Sequence, residues 1–197
     1  MQNKALMAAS GLALALAACG HKDASDTTAA NDMNVTDNSA MMGNGADMNA
    51  AAPAVSPLTA QGFANAAAAS DHFEIESSRL AQGQASSSAV KTFAGKMISA
   101  HTQSTAKLKS IASGLSPAIT PDDTLSADQQ STIASLKGQT GAAFDSAYAA
   151  AQVDAHQKTL DALKAYAASG DNAQLKGFAN DMIPIVTAHL NMAKGLK

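Results

Sequence analysis

The chain has 197 residues, 46% of them hydrophobic but only 4% aromatic, and a formal net charge of -3. Much of the hydrophobic share is Ala, which suits close-packed helices and argues against a β-sandwich. Acids and bases balance from residue 58 onward, so no basic face exists for nucleic acid, and the single Cys19 excludes an internal disulfide or a Cys-based metal site.

Residues 1–18 read as an export signal. Lys4 supplies the positive start, and the apolar run from Ala5 to Leu16 is too short to span a bilayer comfortably. Leu16-Ala17-Ala18-Cys19-Gly20 resembles the lipobox of bacterial lipoproteins. That resemblance implies that Cys19 carries lipid and that the membrane partner is reached through this N-terminal anchor. Gly20 stands where a retention signal has Asp, which by the same resemblance favours the outer membrane, facing the periplasm. Residues 19–58 are then the lipidated Cys and a low-complexity tether rich in Asn, Asp, Ala, Gly and Met, and residues 59–197 are the folded domain. Met33, Met41, Met42 and Met48 offer soft thioethers, but no His or Cys clusters with them, so they read as part of a solvated linker.

Four long helices and one short one are expected in the domain. The first runs from about Ser70 to Ala85, with Ser70-Asp71 as its N-cap region and Asp71 and Glu74 in its first turns. Its inner stripe contains Phe73 and Leu80, and Glu76 falls between them on the same face. The second runs from about Ser88 to Ser113, with Val90, Phe93, Ala94, Met97, Ser104, Leu108 and Ile111 at helical spacing and His101 on that stripe. A long connection follows. Ser126 with Gln129 matches a capping box, which starts a short helix over Ala127 to Lys137. The third long helix spans about Gly141 to Ala168, with Phe144, Tyr148, Gln152, His156, Leu160, Leu163 and Ala167 inward. Asp171 with Gln174 reads as a second capping box. The fourth covers about Asn172 to Ala193, with Leu175, Phe178, Met182, Ile185, Val186, His189 and Met192 inward and Pro184 inside it.

The stretches FEIESSRLA (73–81), VKTFAGKMISAH (90–101), FDSAYAAAQVDAH (144–156) and LKGFANDMIPIVTAHLNMA (175–193) together resemble a known family over residues 68–195. It comprises exported bacterial proteins of unknown function with a ferritin-like four-helix domain, outer-membrane or periplasmic in location. Its pattern reads M-x-x-D-H in the second and third helices. This chain keeps the His at 101 and 156 but has Ala100 and Ala155 in place of the Asp, and Gln152 in place of the Met. The resemblance implies an all-α, ferritin-like four-helix bundle and an envelope compartment. It implies no reaction.

Each long helix thus places one ligand-type residue inward: Glu76, His101, His156 and His189. Such a set could hold Zn, Cu or Fe, although no resident cofactor is expected. A di-iron centre needs bridging carboxylates and Glu-x-x-His steps, whereas Ile98, Val153 and Val186 stand three before the histidines. His189 lies about six residues beyond its helix midpoint, or ~9 Å along the axis, which argues against easy convergence with the other two unless the kink at Pro184 changes its level. On that reasoning the four are buried polar residues, paired with one another, with Tyr148 or with hydroxyls, that set helix register. The preferred function is a lipid-anchored envelope module of unknown activity, binding an unknown envelope partner or serving in stress tolerance. The alternative is a periplasm-facing metal-binding protein. A third reading is a hydrolase or oxidoreductase using the buried His and Glu; it lacks a second catalytic element such as an oxyanion donor loop, so the non-enzymatic reading is preferred and the enzyme question stays open.

Overall fold

The structure is a computed structural model, and it describes residues 58–196. The expected export signal, Cys19 and nearly all of the tether lie outside these residues. Five helices make up the domain: α1 (Ala60–Gln84), α2 (Ser88–Ser113), α3 (Ala127–Lys137), α4 (Gly141–Ser169) and α5 (Ala173–Lys194). Among the described residues no helix is long and apolar enough to cross a membrane.

The caps explain the boundaries. Ser87 and Ser126 accept from the first turns of α2 and α3, and α3 closes the full capping box with Gln129. Two expectations are corrected. The first helix begins ten residues before Ser70: Thr59 caps it by accepting from Gly62 N at 3.1 Å, and the Ala-rich stretch behind it continues without a breaker. Ser70 is mid-helix and bonds Thr159 of α4 instead. The cap of α5 is Asn172, which accepts from Gln174 N and Leu175 N, while Asp171 accepts from the Tyr166 hydroxyl.

The topology follows from which ends share a core. One apolar cluster joins the start of α1 (Phe63, Ala64), the end of α4 (Leu163, Tyr166) and the start of α5 (Leu175, Phe178). The other joins the end of α1 (Ala81), the start of α2 (Val90, Phe93) and the start of α4 (Phe144, Tyr148). So α1 runs antiparallel to both α2 and α4, and α5 runs antiparallel to α4. Helix neighbours go around the bundle in the order α1, α2, α5, α4. The connection from α2 to α4 must therefore travel the length of the bundle, and α3, packed on α1 and α4, is part of that crossover. One such crossover is the mark of ferritin-like bundles.

The inner face of α5 is rotated from the expected one. Ile185 and Met192 are exposed, and Ala179, Leu190 and Ala193 are buried in their place. At the tight turn between α4 and α5 the chain approaches itself closely. A Cβ on Gly170 would sit 2.6 Å from the ring of Tyr166, which is fully buried and stacked on Phe63 at 3.9 Å. Gly170→Ala is expected to displace that ring and destabilise the domain by about 1–3 kcal/mol, read as a lower urea midpoint, with no effect if the ring can swing away freely.

Candidate metal centre

The two apolar clusters are separated by a polar layer. It contains Asp71, Glu74 and Ser77 from α1, His101 and Ser104 from α2, Gln152 and His156 from α4, and His189 from α5, all buried. Its level is set by distance from the shared turns. Asp71 lies thirteen residues before the end of α1, and His101 lies thirteen after the start of α2. At 1.5 Å per residue both are ~20 Å from their turn. His156 is thirteen residues from the end of α4 and His189 sixteen from the start of α5, so they too meet within about one helical turn. The expectation that His189 would stand apart is corrected by this count. In a hairpin the common reference is the turn, not each helix's midpoint.

The three imidazoles form a compact triangle. Ring centroids are 5.7 Å apart for His101 and His156, 5.7 Å for His101 and His189, and 5.5 Å for His156 and His189. One ring nitrogen from each lies within 4.8 Å of the other two. The residues are 2%, 1% and 8% exposed respectively.

Two of the rings are oriented from behind. His101 Nδ1 donates to Asp71 Oδ1 at 2.8 Å, and Thr105 Oγ1 donates to the other carboxylate oxygen at 3.0 Å. His156 Nδ1 donates to the backbone carbonyl of Gln152 at 2.9 Å. A carboxylate or carbonyl can only accept, so each Nδ1 carries the proton and each Nε2 is left facing inward. His101 Nε2, His156 Nε2 and His189 Nδ1 have no hydrogen-bond partner. A carboxylate or carbonyl behind the ring, with the far nitrogen left free, is the arrangement that fixes metal-binding histidines.

Glu76 is not part of this layer, which corrects the sequence reading. It sits at the surface, 3.0 Å from Lys137 Nζ and 3.9 Å from His72 Nε2. The residue that belongs is Glu74. Two positions along a helix turn the side chain by about 200°, to the opposite face. Phe73 and Leu80 had suggested the wrong face. The signal was present: stepping back from Ala81 by threes and fours reaches Ser78, Glu74, Asp71, Ala68 and Ala64, all buried. Reading it required seeing that the helix starts at Ala60.

Burial and mutual charge set the electrostatics. Burial pushes the Glu74 carboxyl up to about 7, against the His101 charge and the nearby Gln152 amide, whose Nε2 is spent on Ser77 Oγ. Burial, then the His101 charge, takes His156 down to about 3 and His189 down to about 4. Burial also opposes charge on His101, but the Asp71 hydrogen bond and the Glu74 and Asp71 charges outweigh it and hold this imidazole above its ordinary value.

A family model described as a domain of unknown function (DUF4142) matches residues 44–196. The chain belongs to this family. No curated protein matches the chain. Among solved structures, one described as CopM in the Cu(II)-bound form is similar with a TM-score of 0.59 and 14% sequence identity, covering 70% of this chain and 94% of that one. At that identity the likeness to the DUF4142 domain is one of fold, and it agrees with the helical bundle found here.

The layer also makes the metal-free DUF4142 domain acid-sensitive. His156 and His189 stay neutral in the fold but charge in the unfolded chain below about 6.5, so unfolding takes up protons and stability falls with acid. Glu74 acts in the opposite sense between its ordinary 4.5 and about 7, its contribution being lost as pH rises through that range. His101, held above its ordinary value, works with Glu74 at the top of this range; below about pH 6, where His101 is charged in both states, two histidines against one carboxyl leave a net loss of stability down to 4.5. Urea midpoints of metal-free protein are expected to fall over that window, and less steeply in His156→Leu. A flat profile would contradict the neutral state of these rings.

Proposed function

We propose that this protein binds a single transition-metal ion on His101, His156 and His189 and does so in the cell envelope. The observation that carries the reading is the convergence of three buried imidazoles, each with a nitrogen within 4.8 Å of the other two and each with a nitrogen that has no hydrogen-bond partner. A purely structural role would require those nitrogens to be satisfied within the protein. The expected partners are engaged elsewhere: Tyr148 with Ser78 at 2.7 Å, and Glu76 with Lys137. Each unsatisfied buried group costs about 1–3 kcal/mol, which a bound ion would recover.

The donor set fits such an ion. Imidazole nitrogen suits Cu and Zn, and Cu(II) heads the divalent affinity order. Bonds of about 2.0–2.1 Å require the nitrogens to move inward by about 1 Å or less each. Three protein ligands leave a further coordination position. His189 forms part of the wall of an open groove of about 510 Å³ between α2 and α5, shared with Met182, Met192 and Lys96, which offers a path from solvent. The likeness to a bundle described in a Cu(II)-bound form favours copper within this class. These features support binding and delivery of metal over turnover.

Location rests on the sequence. The lipobox-like Leu16-Ala17-Ala18-Cys19-Gly20 supports lipid attachment at Cys19, with the outer membrane favoured by Gly20. Cys19→Ser is expected to release the protein from the membrane fraction, and unchanged membrane association would refute the anchor.

Metal-free protein purified without a His tag is expected to melt at a higher temperature with Cu(II) or Zn(II), the gain growing with ion concentration over Kd. His101→Ala and His156→Ala should each weaken binding by about 100-fold or more, and Asp71→Asn, behind the ring, by about 10–100-fold. A melting temperature indifferent to Cu, Zn and Fe would overturn the proposal.

A further inference from the structure

Glu74 has no role in the fold or in the ligand set. It is 1% exposed, and neither carboxylate oxygen makes a hydrogen bond. Oε1 lies 3.5 Å from His156 Nδ1, but that proton is directed to the Gln152 carbonyl. The three converging nitrogens do not include a Glu74 oxygen among them. A carboxylate held in a core without a partner is costly unless a charge nearby balances it.

The charge count of the loaded site is lopsided, because a His101 that binds metal is neutral and no longer offsets Glu74. Asp71 and Glu74 are the two buried carboxylates of the polar layer, and among the described residues no Lys or Arg is buried. Asp71 is committed to His101 and Thr105. Three neutral imidazoles bring donor atoms but no charge to a bound ion. An ion of charge +2 balances two carboxylates, while an ion of charge +1 leaves one uncompensated. In a poorly screened interior this difference is felt beyond the ligand atoms themselves.

We infer that Glu74 is the counter-charge that makes the three-histidine site select a divalent ion over a monovalent one. The inference rests on the metal-site reading above and adds a specificity-determining residue to it. Glu74 is a positioning and charge-balancing group, not a ligand.

The test compares Zn(II) with Ag(I), a redox-inert monovalent probe that also accepts imidazole. Full-length protein is used, and affinity is read from the rise in melting temperature of the domain. Ions held by the Met-rich tether do not stabilise the fold and so do not enter this reading. Glu74→Gln keeps the shape and removes the charge. It is expected to weaken Zn(II) by about 10–100-fold and Ag(I) by no more than about threefold, so that the preference for Zn(II) collapses. Glu74→Asp keeps the charge and should keep the preference. Glu76→Gln, at the surface, should change neither. Equal losses for both ions in Glu74→Gln, or no loss for either, would overturn the inference while leaving the metal site standing. Wild-type protein stabilised by neither ion would overturn the metal site itself and this inference with it.

Discussion

The 2.8 Å hydrogen bond between Asp71 and His101 is the contact on which the centre of this bundle depends. It joins α1 to α2 at the level where the apolar packing of both ends stops. It fixes which His101 nitrogen carries the proton and turns the other toward α4 and α5. His156 is fixed in the same sense by the Gln152 carbonyl of its own helix. Two rings locked from behind then define the space that His189 completes. Without those anchors an Ala-rich core would have three mobile imidazoles and no reason to hold them in one plane of the bundle.

The crossover topology makes the meeting possible. With α1 antiparallel to both neighbours, each hairpin presents its polar positions at a depth counted from its own turn. The two hairpins are then stacked with those depths in register. The apolar clusters on either side supply rigidity: Phe63 on Tyr166 at one end, and Phe144 beside Tyr148 at the other. Asp145 ties the α1–α2 turn to α4 by accepting from Ser86 N and Ser87 N. Small residues such as Ala64, Ala94 and Ala179, fully buried, bring the helices close enough for the rings to touch.

The polar layer also explains a tension within the domain. Burying two carboxylates with three imidazoles works against stability in the absence of a counter-ion, because burial pushes Glu74, His156 and His189 toward their neutral forms. His101 is instead held toward its charged form by Asp71 and Glu74. The remaining groups are arranged for something that brings positive charge and accepts lone pairs. That is a chemical description of a metal ion, and it is the ground on which we propose a binding protein rather than a scaffold with an idle polar layer.

Much of this was legible in the residues alone. Helical spacing from Val90 to Leu108 and from Phe144 to Leu163 gave the two central helices and put His101 and His156 on their buried faces, because periodicity is a local property of the chain. The Ser126–Gln129 capping box gave α3 for the same reason. Tertiary structure decided what local pattern cannot carry. It showed Glu74, not Glu76, inside, since the face of α1 depends on what packs against it. It brought His189 level with its partners, since depth is measured between helices and not along one. It left the three ring nitrogens unpartnered, since satisfaction of a polar atom is a fact about every neighbour in space.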